Sequence, residues 1–333
     1  MAPAPLDDGG SPARVEVSVV VPARQAAATL SRTLRALARS DFAGVSEVVV
    51  VDDASTDATG ALAGAAGARV VRLERQAGPA AARNAGVAAA RGALVAFTDA
   101  DCEPTPGWLG AVVCGLGSAD LVTGPVRPDP AVPVGPYDRT LSIAGASPLF
   151  ETANLAVRRA VIERAGGFEA FTPGDGRPGL RPRLEQGHFG EDAVFGWRAR
   201  RAGARIAFLP DAVVHHAVFP RAPRGFIAEK WRLRFFPALV RELPELRHSL
   251  FLRIFLSRRT ACFDLAVAGV CGARLARRPG LALVALPYAS RCLVGQDPWR
   301  RSVARHNLVL VSADAIGLAA LLRGSVAARR LLL

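Results

Sequence analysis

Three short apolar runs, each stopping at a polar loop, constrain this chain more than any other feature. V-E-V-S-V-V-V at Val15 to Val21 halts at Pro22. E-V-V-V-V at Glu47 to Val51 halts at Asp52 and Asp53, and L-V-A-F at Leu94 to Phe97 halts before Asp99 and Asp101. Runs of this length, solid in valine and framed by turn residues, predict strands buried on both faces, as in a parallel sheet. Arg69 to Leu73 reads as a further strand. The stretches between them repeat apolar residues at helical spacing: Leu30, Leu34 and Leu37, then a segment through Leu62 for which Ser55 and Thr56 offer N-caps, then Ala80 to Ala90 opened by Gly78-Pro79.

Strand and helix in alternation predict an α/β fold with a doubly wound, mostly parallel sheet, in which ligands gather beyond the carboxyl ends of the strands. Those ends carry Pro22-Ala23-Arg24, Asp52-Asp53 and Asp99-Ala100-Asp101. In an extended chain residues i and i+2 face the same way, so Asp99 and Asp101 read as a hard-cation site for Mg2+ or Mn2+ beside a diphosphate. No Gly-x-Gly-x-x-Gly follows the first strand, which argues against a nicotinamide dinucleotide fold.

The four blocks V-S-V-V-V-P-A-R, V-V-V-V-D-D-A-S-T-D, G-P-A-A-A-R-N-A-G and F-T-D-A-D, in this order and spacing, resemble family 2 glycosyltransferases with the GT-A nucleotide-diphospho-sugar fold, from about Val15 to Phe219. The resemblance implies that Pro22, Ala23, Arg24 and Asp53 line the base and ribose pocket. Gly78, Arg83 and Asn84 then flank the nucleotide, Asp99 touches ribose or metal beside Ala100, and Asp101 ligates the metal. One departure is visible: where the family has Pro-x-Tyr-Asn, this chain has Arg24 and Gln25, which leaves the base open. Thr152 to Val157 is similar to the family's strand near the sugar, and Arg158 to Phe168 to the helix and Gly-Gly-Phe turn after it. Thr172 to Gly190, rich in glycine and proline, reads as either a disordered loop or a lid, and its place just before the next motif favours a lid.

Glu191 and Asp192 open a helix that stops at Gly203, where acids complement the helix dipole. The resemblance assigns them more: Asp192 as general base of an inverting transfer, Glu191 as the residue that bonds the acceptor or orients Asp192. One long strand is expected from Ile206 to His216 across Pro210, and His216 matches the family's histidine near the metal.

The net charge of +13 suggests nucleic acid until it is divided. Residues 221–333 hold 20 basic and 6 acidic side chains, and residues 1–220 are nearly neutral. Arginines interleaved with apolar runs, without a base-reading motif, suit an anionic membrane surface better than nucleic acid. The runs Leu265 to Ala273, Leu281 to Ala289 and Leu308 to Leu322 are each shorter than the ~20 residues of a spanning helix, so interfacial or re-entrant helices are expected ahead of true spans and of a soluble helical subdomain or dimer interface. Residues 1–14 read as a disordered tail, 15–220 as the GT-A domain and 221–333 as a helical, arginine-rich, membrane-associated region. Five cysteines without Cys-x-x-Cys spacing read as free thiols.

The expected activity is metal-dependent, inverting transfer of a sugar from a nucleoside-diphosphate donor to an acceptor hydroxyl, lipid-linked or of the cell envelope, on the cytoplasmic side of the membrane. A nucleotidyltransferase and a noncatalytic nucleotide-sugar-binding scaffold are the rival readings.

Overall fold

The structure is a computed structural model that describes residues 15–169, 171, 189–293 and 301–333. The expected tail, and the expected lid apart from Phe189 and Gly190, lie outside the described residues. The chain divides into two compact units. One runs to Phe219, apart from Pro136–Arg139, which belong with Pro220–Leu333 in the other.

In the first unit β1 (Val17–Ala23) pairs in parallel with β2 (Ser46–Asp52) on one side and β4 (Leu94–Phe97) on the other, and β3 (Arg69–Arg72) extends β2. Period-two alternation assigns the β1 side chains. Val17, Val19 and Val21 enter a core with Leu30, Leu34 and Leu37 of α1 (Leu30–Ala38), while Val20 enters a second core with α3 (Pro79–Ala89). Helices therefore cover both faces. Gly86 of α3 is required by this packing, since a Cβ there would run into the Val20 side chain.

The strand does not stop at Pro22 as expected; Pro22 and Ala23 stay in register with Val51 and Asp52. The Val20 carbonyl accepts from Thr98 and the Ala23 carbonyl from Asp53, so backbone groups of β1 alternate between neighbours. The missing N–H of Pro22 falls on the β4 side, just where β4 has ended, and proline is tolerated there.

Ser55 and Thr56 do not cap the second helix. α2 (Thr59–Ala65) starts later, and Asp57 Oδ1 accepts from the Thr59 N–H at 3.0 Å. After β4 come β5 (Cys102–Pro104), α4 (Trp108–Gly115), β6 (Leu121–Thr123) and β7 (Val126–Pro128), none of them anticipated. Thr152–Asn154 is a 3-10 turn rather than strand, and β8 occupies Leu155–Arg158. α5 (Arg159–Ala165) ends on Gly166 in the left-handed conformation, φ 84°.

The expected strand from Ile206 to His216 is two. β9 (Ile206–Phe208) and β10 (Val214–His216) are separated by a turn at Pro210 and join different sheets. The large sheet has the order β3-β2-β1-β4-β8-β6-β9, with β8 antiparallel to both neighbours, and the small one the order β5-β10-β7.

Among its described residues the second unit is built of helices: α7 (Pro223–Glu229), α8 (Phe236–Glu242), α9 (Arg258–Leu275), α10 (Leu286–Leu293) and α11 (Arg301–Ala328), with 3-10 segments between. Ser257 and Thr260 form a reciprocal capping box at the start of α9. The third apolar run is not short in three dimensions. It lies inside the 28 residues of α11, of which Val303–Ala328 is long and apolar enough to cross a membrane. α11 presents Ala304, Leu308, Val311, Ala315, Ala319, Leu322 and Val326 as an exposed stripe at steps of three and four, while Ala313, Ala320 and Leu321 are buried.

Candidate active site

Because β8 runs opposite to its neighbours, its start lies at the same edge as the ends of β1, β2 and β4. That edge gathers Asp53, Asp99, Asp101 and Thr152. α6 (Glu191–Arg201) begins beside them with its two acids in the first turn.

Arg83, on α3, is the hub. It is 5% exposed, with Nη1 3.2 Å from Glu191 Oε1 and 3.0 Å from Asp192 Oδ1, and Nη2 3.6 Å from Asp99 Oδ1. Burial alone lowers the pKa of a guanidinium, but Asp192, Asp99 and Glu191 together outweigh it and hold Arg83 above its ordinary value. One cation does not neutralise three acids. Burial pushes the carboxyls of Asp99, Glu191 and Asp192 up, reinforced by their mutual repulsion and opposed by Arg83.

Asp192 is the most constrained of the three. Its Oδ2 accepts from the Thr152 N–H at 3.0 Å and the Thr152 hydroxyl at 2.9 Å. Its Oδ1 lies at ion-pair distance from Arg83 but receives no aligned hydrogen bond, and is a buried acceptor with a lone pair unspent.

Asp99 and Asp101 do not share a direction. The chain leaves β4 at Thr98 and turns, with the Cys102 N–H donating to the Asp99 carbonyl at 3.1 Å, so the alternation of an extended strand no longer applies. Asp99 faces Arg83, and Asp101 faces His216, whose Nε2 is 3.6 Å from Asp101 Oδ2. His216 Nδ1 is 2.6 Å from the Ala217 carbonyl, which only accepts. Nδ1 therefore carries the proton, and a neutral ring turns the bare lone pair of Nε2 toward a carboxylate. Two electron-rich atoms in this relation call for a cation between them or a second proton on the ring.

Asp101, Cys102 and His216 each place a donor atom within 4.8 Å of the others. The Cys102 thiol is buried, and burial with the nearby Asp99 and Asp101 pushes its pKa well up. It stays protonated and is the poorest ligand of the three. Asp101 and His216 are thus the two donors that face each other; Asp99, expected beside them, has Oδ1 3.6 Å from Arg83 Nη2.

The remaining expected residues divide. Asp53 accepts from the N–H groups of Ala77 at 2.7 Å and Gly78 at 2.9 Å, fastening the loop that opens α3, where Gly78 has φ 88°. Asn84 donates to the Phe168 carbonyl at 2.7 Å and accepts from its N–H at 2.9 Å, which spends its amide on the turn after α5. Pro22, Ala23 and Ala100 line the edge as small or half-buried groups, and Arg24 is exposed.

Three positions were missed. Gln25, with φ 49°, donates its N–H to Ser55 Oγ and accepts from Thr56 N–H at 2.7 Å, bracing the loop after β2. Asn154 accepts from Trp108 Nε1 and donates to the carbonyls of Pro125 and Ala212. Thr152 holds the Asp192 carboxylate. Thr152 and Asn154 lie in the block that resembles the sugar-proximal strand and Gln25 in the departure after β1, but no spacing in the sequence pointed to their partners.

The model of glycosyl transferase family 2 matches residues 18–166. These residues form a family 2 glycosyltransferase domain, and the chain is a glycosyltransferase. Among curated relatives, the glycosyltransferase AglE of Haloferax volcanii is 29% identical over 231 residues, covering 64% of this chain and 70% of that one. The pre-mycofactocin glycosyltransferase of Mycobacterium tuberculosis is 30% identical over 227 residues, covering 62% of this glycosyltransferase but only 43% of its relative. The succinoglycan biosynthesis protein ExoU of Rhizobium meliloti is 40% identical over 107 residues, 30% of each chain. The fold is shared with the mannosyltransferase PcManGT of Pyrobaculum calidifontis, solved with GDP-Man and Mn2+: TM-score 0.56, 22% identity, 93% of this glycosyltransferase and 87% of that structure covered.

Proposed function

We propose that the glycosyltransferase moves a sugar from a nucleoside diphosphate to an acceptor hydroxyl with inversion, and depends on Mg2+ or Mn2+. The observation that carries the reading is the unspent lone pair of Asp192 Oδ1, beside Arg83 on the sheet edge that also carries Asp99 and Asp101. As the acceptor oxygen attacks the anomeric carbon from the face opposite the diphosphate, Asp192 takes its proton. The bond from the anomeric carbon to the diphosphate breaks, and the nucleoside diphosphate leaves with the electron pair. Thr152 keeps the base in place, and Arg83 orients it and favours its charged form.

Asp99, Asp101, Glu191 and Asp192 around a single arginine repel a diphosphate. Asp101 and His216 are the residues that would hold the cation, which when bound offsets that repulsion and stabilises the departing charge. PcManGT, solved with GDP-Man and Mn2+, shows a shared fold in company with both ligand types. The exposed stripe of α11, with Arg305 and Arg323 near its ends, supports action at a membrane face; the cytoplasmic face and an acceptor that is lipid-linked or part of the envelope complete the proposal.

The test is thermal stability against nucleoside diphosphates and nucleotide sugars with and without each metal. Binding at a hundredfold excess over Kd adds about 2.7 kcal/mol. A metal-dependent upward shift for one base, abolished by Asp101→Ala, is the expected result. A folded protein that responds to no nucleotide would overturn the reading.

A further inference from the structure

The second unit holds a half-open cavity of about 390 Å³, lined by none of the residues placed at the transfer site. This is within the range of small-molecule sites. Leu310, Ala313, Asp314, Gly317, Leu318 and Leu321 of α11 line it, at steps of one, three and four that put all six on one face of the helix and about 16 Å along it. Phe263 and Asp264 of α9 form a facing wall, with Phe226 and Leu233 beside them.

The polar groups of this cavity are of two kinds. Asp314 is partnered: its Oδ2 accepts from Arg259 Nε and Nη2 at 3.0 and 2.7 Å and from the Tyr288 hydroxyl at 2.6 Å. Asp264 is not. Its Oδ2 is buried and has no hydrogen-bond partner, and burial together with nearby Asp314 pushes its pKa up to about 6. A buried acceptor left unpaired is destabilising, and here it stands on the wall of a largely apolar space. Lys230 and Arg259 are balanced by Asp264 and Asp314, so the cavity has no positive excess to hold a phosphate or carboxylate.

We infer that this cavity binds a single-chain lipid alcohol, its hydrocarbon laid along the α11 face and its hydroxyl donating to Asp264. The inference stands on the second unit alone and does not rest on the reading of the transfer site.

Equilibrium binding of tritiated decanol to the full chain in lipid nanodiscs, with empty nanodiscs as baseline, tests it. The expected result is one saturable site per chain, at least tenfold weaker for decyl methyl ether, which lacks the donor, and weaker still for decanoate. A Cβ at Gly317 would meet only Leu233, at 3.5 Å, so Gly317→Leu enters the cavity rather than the backbone and should weaken binding at least tenfold. Asp264→Leu should weaken decanol binding similarly while raising the melting temperature, a pairing that loss of fold does not produce. If Gly317→Leu fails to melt cooperatively, Leu318→Trp fills the same space. Uptake no greater than that of empty nanodiscs, or binding unchanged in the filled variants, overturns the proposal. Decanoate binding as well as decanol would overturn the role of Asp264.

Discussion

Asp192 is held through one oxygen and free at the other, and both halves have measurable consequences. Asp192→Asn keeps the shape but removes the basic lone pair, so kcat should fall by roughly 10²–10⁴ while nucleotide binding, read by thermal shift, persists. Thr152→Val removes a hydroxyl that stabilises the charged carboxylate and leaves the backbone donor in place. The Asp192 pKa, already raised by burial, then rises further. Because the base must be unprotonated, the acid limb of kcat/KM should move to higher pH, and a limb that stays put or moves down would remove Asp192 from the base role. Arg83→Met leaves Asp99, Glu191 and Asp192 without their cation; breaking a buried pair in this way costs about 3–5 kcal/mol, and denaturant melts should show that loss before any assay does. Asp101, His216 and Asp192 were legible from short motifs. The links of Arg83 to Glu191 and Asp192 were not, because those partners stand 108 and 109 residues away and only the folded sheet edge joins them.

Elements were legible where periodicity was long and unmixed. β1, β2, β4 and α3 fall close to their expected bounds, since valine runs and an alanine-rich stretch each admit one structure. The region from Cys102 to Pro128 was opaque: strands of three residues are too short to show alternation, and what holds them is remote, above all Asn154. Its amide joins Trp108 of α4 to the carbonyls of Pro125 and Ala212. Asn154→Leu leaves the Trp108 indole N–H and the Ala212 carbonyl unpaired in the interior, while the Pro125 carbonyl keeps its bond from the Val214 N–H; at about 1–3 kcal/mol for each group left unsatisfied, a large drop in melting temperature is expected even though no substrate-facing group is touched. Pro210 marks the other failure. Apolar residues flank Pro210-Asp211 on both sides from Ile206 to Val214, but the proline breaks the ladder and the two halves join different sheets, which is what carries His216 to Asp101.

At the scale of the whole molecule, the exposed α11 stripe predicts attraction to a bilayer. Sedimentation with anionic vesicles should recover the chain, and Leu308→Gln with Leu322→Gln should lower recovery more than a change at the buried Ala313 that preserves the fold; equal recovery would assign attachment elsewhere. The antiparallel β8 has a different kind of consequence, one of timing during synthesis. It lies between β4 and β6 in space but follows both in sequence. When the chain has emerged from the ribosome as far as Asp101, both aspartates of the motif exist, yet the β4 edge is bare and neither Thr152 nor His216 has been made. A nascent chain therefore carries an apolar, unpaired strand edge for the time needed to add more than fifty residues, and such edges invite pairing with other chains. Insertion of β8 closes that edge and delivers Thr152 to the site in a single event, so protection from misassociation and completion of the catalytic edge arrive together.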